Sequence, residues 1–201
     1  MNRKLLVPLL FSLGLAPVAA SAQAARPPEH TSPTPAWLPR GFLLGTTLRE
    51  GVITPRVKVQ WQFTFFQQPK DAFALLLEGG LGWAVGFPDP RADQPHTFVG
   101  SFYEHSAQVG IGYRNHLPDD VHWGFQVTGG PVFYGAHFDG GLPADRRTAG
   151  IIEGRIHLGY QFGAMAAGVA VGYSEPFGLK RRSLGRFFPG GPLFGLFVDW
   201  R

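Results

Sequence analysis

The 201-residue chain contains no cysteine. That absence excludes disulfides, thiolate chemistry, Cys-ligated metals and a lipid anchor on a processed cysteine. Charge is scarce as well: Asp, Glu, Lys and Arg make up 16% of the residues, against about 25% in an ordinary soluble domain. Long apolar runs are missing. Leu5 to Leu15 is the best candidate, but Pro8 interrupts it, and a membrane-spanning helix needs roughly 20 apolar residues. A chain without such a run can cross a bilayer only as a closed barrel of strands.

What is present begins with an export signal. Asn2-Arg3-Lys4 is a positive n-region, Leu5 to Leu15 an apolar core, and Ala19-Ala20-Ser21-Ala22-Gln23-Ala24 offers cleavage after Ala22 or Ala24. Residues 1–24 are therefore expected to be a signal peptide. Its removal leaves 16 basic against 14 acidic residues, too even a balance to attract nucleic acid. Residues 25–40 carry Pro27, Pro28, Pro33, Pro35 and Pro39 and read as an extended leader. The remainder, 41–201, is of single-domain size.

Within that domain the dominant period is two. In Ile151 to Phe162, one face carries Ile152, Gly154, Ile156, Leu158, Tyr160 and Phe162, and the other Ile151, Glu153, Arg155, His157, Gly159 and Gln161. A helix would scatter these charges around its circumference, whereas a strand puts them on one side. The same split predicts strands near 41–49, 55–67, 71–86, 97–115, 121–138, 148–162, 164–175 and 190–201, although the period is ambiguous in the first. In the fourth, His105 is an exception on the apolar face. Tight links at 67–70, 117–120 and Gly163 alternate with longer ones at 88–96, 139–147 and 176–189, as in an up-and-down barrel of even strand number. Only the link near 50–54 is shorter than that pattern expects.

The composition of the polar face decides which way the barrel is turned. A soluble, lipocalin-like barrel keeps its apolar face inside and a densely charged face in water. Here the polar face mixes Gly, Ala, Gln and a few charges of both signs, which suits a narrow, self-neutralising lumen. The apolar face carries Phe42, Trp61, Trp83, Tyr113, Trp123, Tyr160, Tyr173 and Trp200 near strand ends, as aromatic girdles at the two membrane interfaces do. The expected fold is all-β: an eight-stranded antiparallel up-and-down transmembrane β-barrel with a filled polar lumen.

The closing segment, with Phe194, Leu196, Val198 and Trp200 on one face, resembles the C-terminal strand of bacterial outer-membrane proteins, which the barrel-insertion machinery recognises. It departs from that pattern in placing Arg201 after the terminal aromatic. With the signal and eight strands, residues 41–201 resemble the OmpA/OmpX-type or opacity-protein class of small barrels. The resemblance implies export to the outer membrane of a Gram-negative bacterium, a monomer, contact with outer-membrane lipids and lipopolysaccharide, and no cofactor.

Three residue groups bear on function. Arg56, Lys58, Glu78, Glu104, Arg114, His122, Glu153, Arg155 and His157 fall on the polar face, and are expected to form a salt-bridge network that plugs the lumen rather than a catalytic centre. Arg146, Arg147, Lys180, Arg181, Arg182 and Arg186 crowd the last two long links, where they suit contact with anionic glycolipid. The seven histidines show no metal-ligand spacing, and no metal is expected. Lipid A deacylases carry a lipid-facing His-x-Ser pair and a Glu on late strands. The nearest equivalent is Gly172-Tyr173-Ser174-Glu175, where the His position is Gly; His105 and Ser106 are adjacent and point to opposite faces. No catalytic residue is therefore assigned. The expectation is a structural or surface-interaction barrel, with a lipid A-modifying enzyme second and a soluble ligand-binding barrel third.

Overall fold

The computed structural model describes residues 37–49, 51–89, 98–140, 144–179 and 190–200. The predicted signal peptide, most of the leader, the basic segment 180–186 and Arg201 lie outside the described residues. Eight strands follow one another: β1 (Gly41–Arg49), β2 (Val52–Gln67), β3 (Asp71–Pro88), β4 (Phe98–His116), β5 (Val121–Phe138), β6 (Asp145–Phe162), β7 (Met165–Phe177) and β8 (Gly191–Trp200). Each pairs antiparallel with its neighbour, and β8 closes on β1, with Gly41 opposite Asp199 and Thr47 opposite Leu193. Closure gives every strand a neighbour on both sides, which is the condition for a sheet to exist in hydrocarbon.

β2, β3, β6 and β7 run longer than the sequence pattern predicted. β2 begins at Val52 because Gly51, at φ 79°, completes a tight hairpin from β1; the first link is shorter still than its composition suggested. At the other end, Asp119 and Asp120 both adopt positive φ (62° and 60°) between β4 and β5, a conformation that Asp tolerates better than most residues. The turns at 68–70, 117–120 and 163–164 and both ends of the strand run share one end of the barrel, the turn end; the tight β1–β2 hairpin and the longer links share the loop end.

Along β6 side chains alternate between the two faces. Ile152, Ile156, Leu158 and Tyr160 are exposed while Ile151, Glu153, Arg155, His157 and Gly159 are buried. Ile156 is 58% and Leu196 61% exposed, whereas Glu153 is 1% exposed. That partition is the reverse of a soluble protein's and excludes the lipocalin-like reading: no aqueous fold leaves such an apolar band in water. From Ile152 to Phe162 the band covers ten residue steps. At about 3.3 Å per residue and a tilt of about 40°, it is about 25 Å tall, the height of a bilayer's hydrocarbon.

Aromatic rings mark both rims. At the turn end Phe42 packs on Trp200 (ring centroids 5.3 Å), Phe73 on Tyr113 (4.9 Å), Tyr113 on Trp123 (5.6 Å) and Tyr160 on Phe162 (4.8 Å). The Tyr113 hydroxyl donates to Asp71 Oδ1 at 2.5 Å, which ties this belt to the water side. At the loop end Trp83 and Tyr103 are cross-strand partners, and Phe133, Tyr173 and Phe194 are exposed.

Candidate functional site

The lumen is built by the inward-facing half of each strand. Arg56 and Lys58 come from β2, Glu78 from β3, Glu104 from β4, and Glu153 and Arg155 from β6. All six are buried, and three positive charges meet three negative ones. Lys58 Nζ lies 2.6 Å from Glu153 Oε1 and 3.4 Å from Glu78 Oε2. Arg155 contacts Glu153 (3.0 Å) and Glu78, and donates from Nε to Gln126 Oε1 at 2.8 Å. Arg56 Nε lies 2.5 Å from Glu104 Oε1, and its Nη1 is 3.7 Å from Glu153 Oε2 and donates to Ser174 Oγ at 3.2 Å. Glu153 is the hub, shared by all three cations. Buried ions persist only when each finds a counter-ion and hydrogen bonds, and here the sum is zero.

The glycines of the polar face explain how so many long side chains fit. A Cβ on Gly82 would meet Glu104 Oε1 at 2.7 Å, and one on Gly159 would meet Phe197 Cζ at 2.6 Å. Gly82 therefore supplies volume for its cross-strand partner Glu104, and Gly159 for Phe197 two strands away.

The polar filling occupies the middle of the lumen. Loop-ward of it, Ala84, Phe87, Val99, Phe102, Val132, Tyr134, Ala136, Ala149 and Ile151 form one apolar cluster. Gly86, at φ 66°, and the irregularity between Val99 and Ser101 turn Phe87 and Val99 inward to join it. Turn-ward, His122 and His157 pack edge-on against Phe197 (5.8 and 5.3 Å), and Arg114 pairs with Asp199. All nine predicted lumen residues thus point inward, in two groups: six charges at the centre, and Arg114, His122 and His157 below.

Sequence reasoning did not place Gln108, Gln126, Thr128, Ser174 or Asp199 in the lumen network. Thr128 Oγ1 donates to Gln108 Oε1 at 2.6 Å. The signal for each was inward parity on its strand, which identifies a face but not a partner.

The other expectations resolve one by one. Arg146 and Arg147, expected in the link before β6, lie instead within β6 because the strand begins at Asp145; Arg147 pairs with Asp145 at 2.8 Å, while Arg146 is exposed on the outward face. Ser174 is buried in the lumen, whereas Glu175 faces outward to Arg49 (3.4 Å) and the Tyr173 hydroxyl (3.2 Å). Ser174 and Glu175 are therefore on opposite faces of β7 and do not meet. His105 is exposed on the outside and Ser106 turns inward, as the alternation required. Phe194, Leu196, Val198 and Trp200 line the outer face of β8. Among the described residues, no group of three or more His, Asp or Glu side chains is placed to hold a metal ion.

No family model matches the sequence, and no curated protein matches it significantly. Solved structures similar to it include the outer-membrane enzyme PagL, at 15% identity and TM-score 0.49, covering 80% of this chain and 99% of that one. Ail, the attachment invasion locus protein of Yersinia pestis, matches at 8% identity and TM-score 0.48 over 80% and 93%. The N-terminal β-barrel domain of Pseudomonas aeruginosa OprF matches at 12% identity and TM-score 0.39 over 80% and 94%. Closed antiparallel strands, an apolar exterior and a charge-neutral interior make this chain an eight-stranded β-barrel built to span a membrane.

Proposed function

We propose that this barrel is a non-conducting component of the outer membrane of a Gram-negative bacterium, reached by signal-directed export, that acts at its outer surface as a monomer. The observation that carries this reading is the lumen. Among the described residues, six mutually neutralising charges fill the middle of the lumen and an apolar cluster lies above them, and open aqueous channels belong to barrels of about 16 strands. Work is then left to the exterior and to the loop end. There Arg146 is exposed, and Arg147 is half-exposed despite its bond to Asp145. Together with Lys180, Arg181, Arg182 and Arg186 they supply cations suited to the phosphates of lipopolysaccharide. The role is one of surface contact rather than transport or turnover.

Reconstitution tests both halves of the reading. Proteoliposomes should show no sugar-dependent swelling and no stable conductance. Changing Arg146, Arg147, Lys180, Arg181, Arg182 and Arg186 to Gln should weaken lipopolysaccharide binding about tenfold or more. Steady conductance in the wild type would overturn the closed lumen, and unchanged binding in the variant would overturn the surface role.

A further inference from the structure

His105 breaks the apolar face. It projects outward from β4, between Leu81 of β3 and Phe133 of β5, and is exposed. An ionisable side chain on a hydrocarbon-facing surface is costly and marks a site of function more often than not. It is not isolated. On the same outward row the Tyr103 ring lies 5.7 Å from that of His105 and 6.2 Å from that of His137. Ser101 Oγ lies 3.5 Å from His137 Nδ1, its cross-strand partner. The next rung completes the rim: Trp83, Tyr103, Gly135 and Arg146 are successive cross-strand partners, so the exposed Arg146 stands at the level of Tyr103.

Turn-ward along the same strands the surface sinks. Trp61, Leu77, Gly79, Ala107, Gly129 and Pro131 line an apolar trough of about 720 Å³. Its floor is low because two small residues, Gly79 and Ala107, are cross-strand partners. A Cβ on Gly79 would meet nothing within 4 Å. The wall is fixed, since Trp61 Nε1 donates to the Trp37 carbonyl at 3.0 Å. Ala107 is two residues from His105, or about 7 Å along the strand. The trough therefore opens directly beneath the polar group.

We propose that the outer face of β3 to β6 is a binding site for one phosphorylated acyl glycolipid of the surrounding leaflet. An acyl chain lies in the trough. Ser101, Tyr103, His105 and His137 hydrogen-bond its sugar and linkage region, and Arg146 holds a phosphate. The trough faces hydrocarbon, so a lipid chain is what fills it, and the cation at the rim selects an anionic headgroup. Among the described residues no carboxylate is hydrogen-bonded to His137, so the Ser101–His137 contact lacks the orienting third group of an activated nucleophile. The site is assigned to recognition. The inference rests on the surface-contact reading above, in which the loop end faces the outer leaflet.

The test is native mass spectrometry of the folded full-length barrel in detergent, with purified lipid A as probe and phosphatidylglycerol as the second arm. The wild type should retain one lipid A. Gly79→Leu builds into the trough where an added Cβ meets nothing within 4 Å, and His105→Leu removes the polar anchor; each should lower retention tenfold or more. A heat-dependent gel shift shows that each variant is folded. Full retention by folded Gly79→Leu overturns the trough site. If substitution of the six basic residues still weakens lipopolysaccharide binding in that case, the surface-contact reading survives alone. Equal retention of phosphatidylglycerol overturns the glycolipid assignment. Release of free fatty acid that Ser101→Ala abolishes overturns recognition in favour of hydrolysis.

Discussion

Replacing Glu153 with Gln is the sharpest perturbation of the lumen. The side chain is fully enclosed and lies 2.6 Å from Lys58, 3.0 Å from Arg155 and 3.7 Å from Arg56. The substitution preserves shape but leaves three buried cations facing two carboxylates. Removing one member of a buried ion pair costs about 3–5 kcal/mol, because the remaining charge is uncompensated. Gln retains some hydrogen bonding, so about 3 kcal/mol is expected. The compensating test is Lys58→Met combined with Glu153→Gln, which returns the central network to two charges of each sign. The double variant should be more stable than either single one, with a coupling of about 2 kcal/mol or more in a double-mutant cycle. Reversible urea unfolding in lipid vesicles, followed by tryptophan fluorescence, measures all four proteins. A cost below about 1 kcal/mol for Glu153→Gln, or additive effects in the double variant, would refute the idea that Glu153 holds the network together.

Three further outcomes follow from the geometry. Ile156→Lys places a cation on the outer face in the middle of the apolar band, and should cost about 2–4 kcal/mol in the same assay; a cost near zero would mean that Ile156 does not face lipid. Gly82→Leu should prevent or severely slow folding, because its side chain enters the space held by Glu104; normal heat-modifiable migration of this variant would contradict the packed lumen. Asp119→Asn with Asp120→Gly relieves two left-handed residues at the β4–β5 turn and should stabilise the barrel by about 0.5–1 kcal/mol, read as a higher urea midpoint.

How much was legible before the structure depended on range. Ile151 to Phe162 could be read as a strand with a charged inner face because alternation is a local property, fixed by the backbone's period of two. Likewise, Gly163 and the 117–120 segment announced turns through residues that accept positive φ. Parity could also be followed along β4, so His105 stood out at once as the wrong residue on the apolar face.

Pairing was not legible in the same way. Nothing local to Lys58 says that Glu153, 95 positions away, is its partner; that follows only when eight strands close with a particular stagger. The face change at Gly86, which turns Phe87 and Val99 into an apolar cluster, depends on a backbone twist that alternation counting runs straight past. The placement of Ser101, His105 and Arg146 above a trough floored by Gly79 and Ala107 joins three strands, and only their register brings it together. Nearest neighbours along the chain are enough to make inside-out strands with charges on one side. The tertiary structure decided which charges meet and where the outer surface dips, because both depend on contacts between residues far apart in the chain.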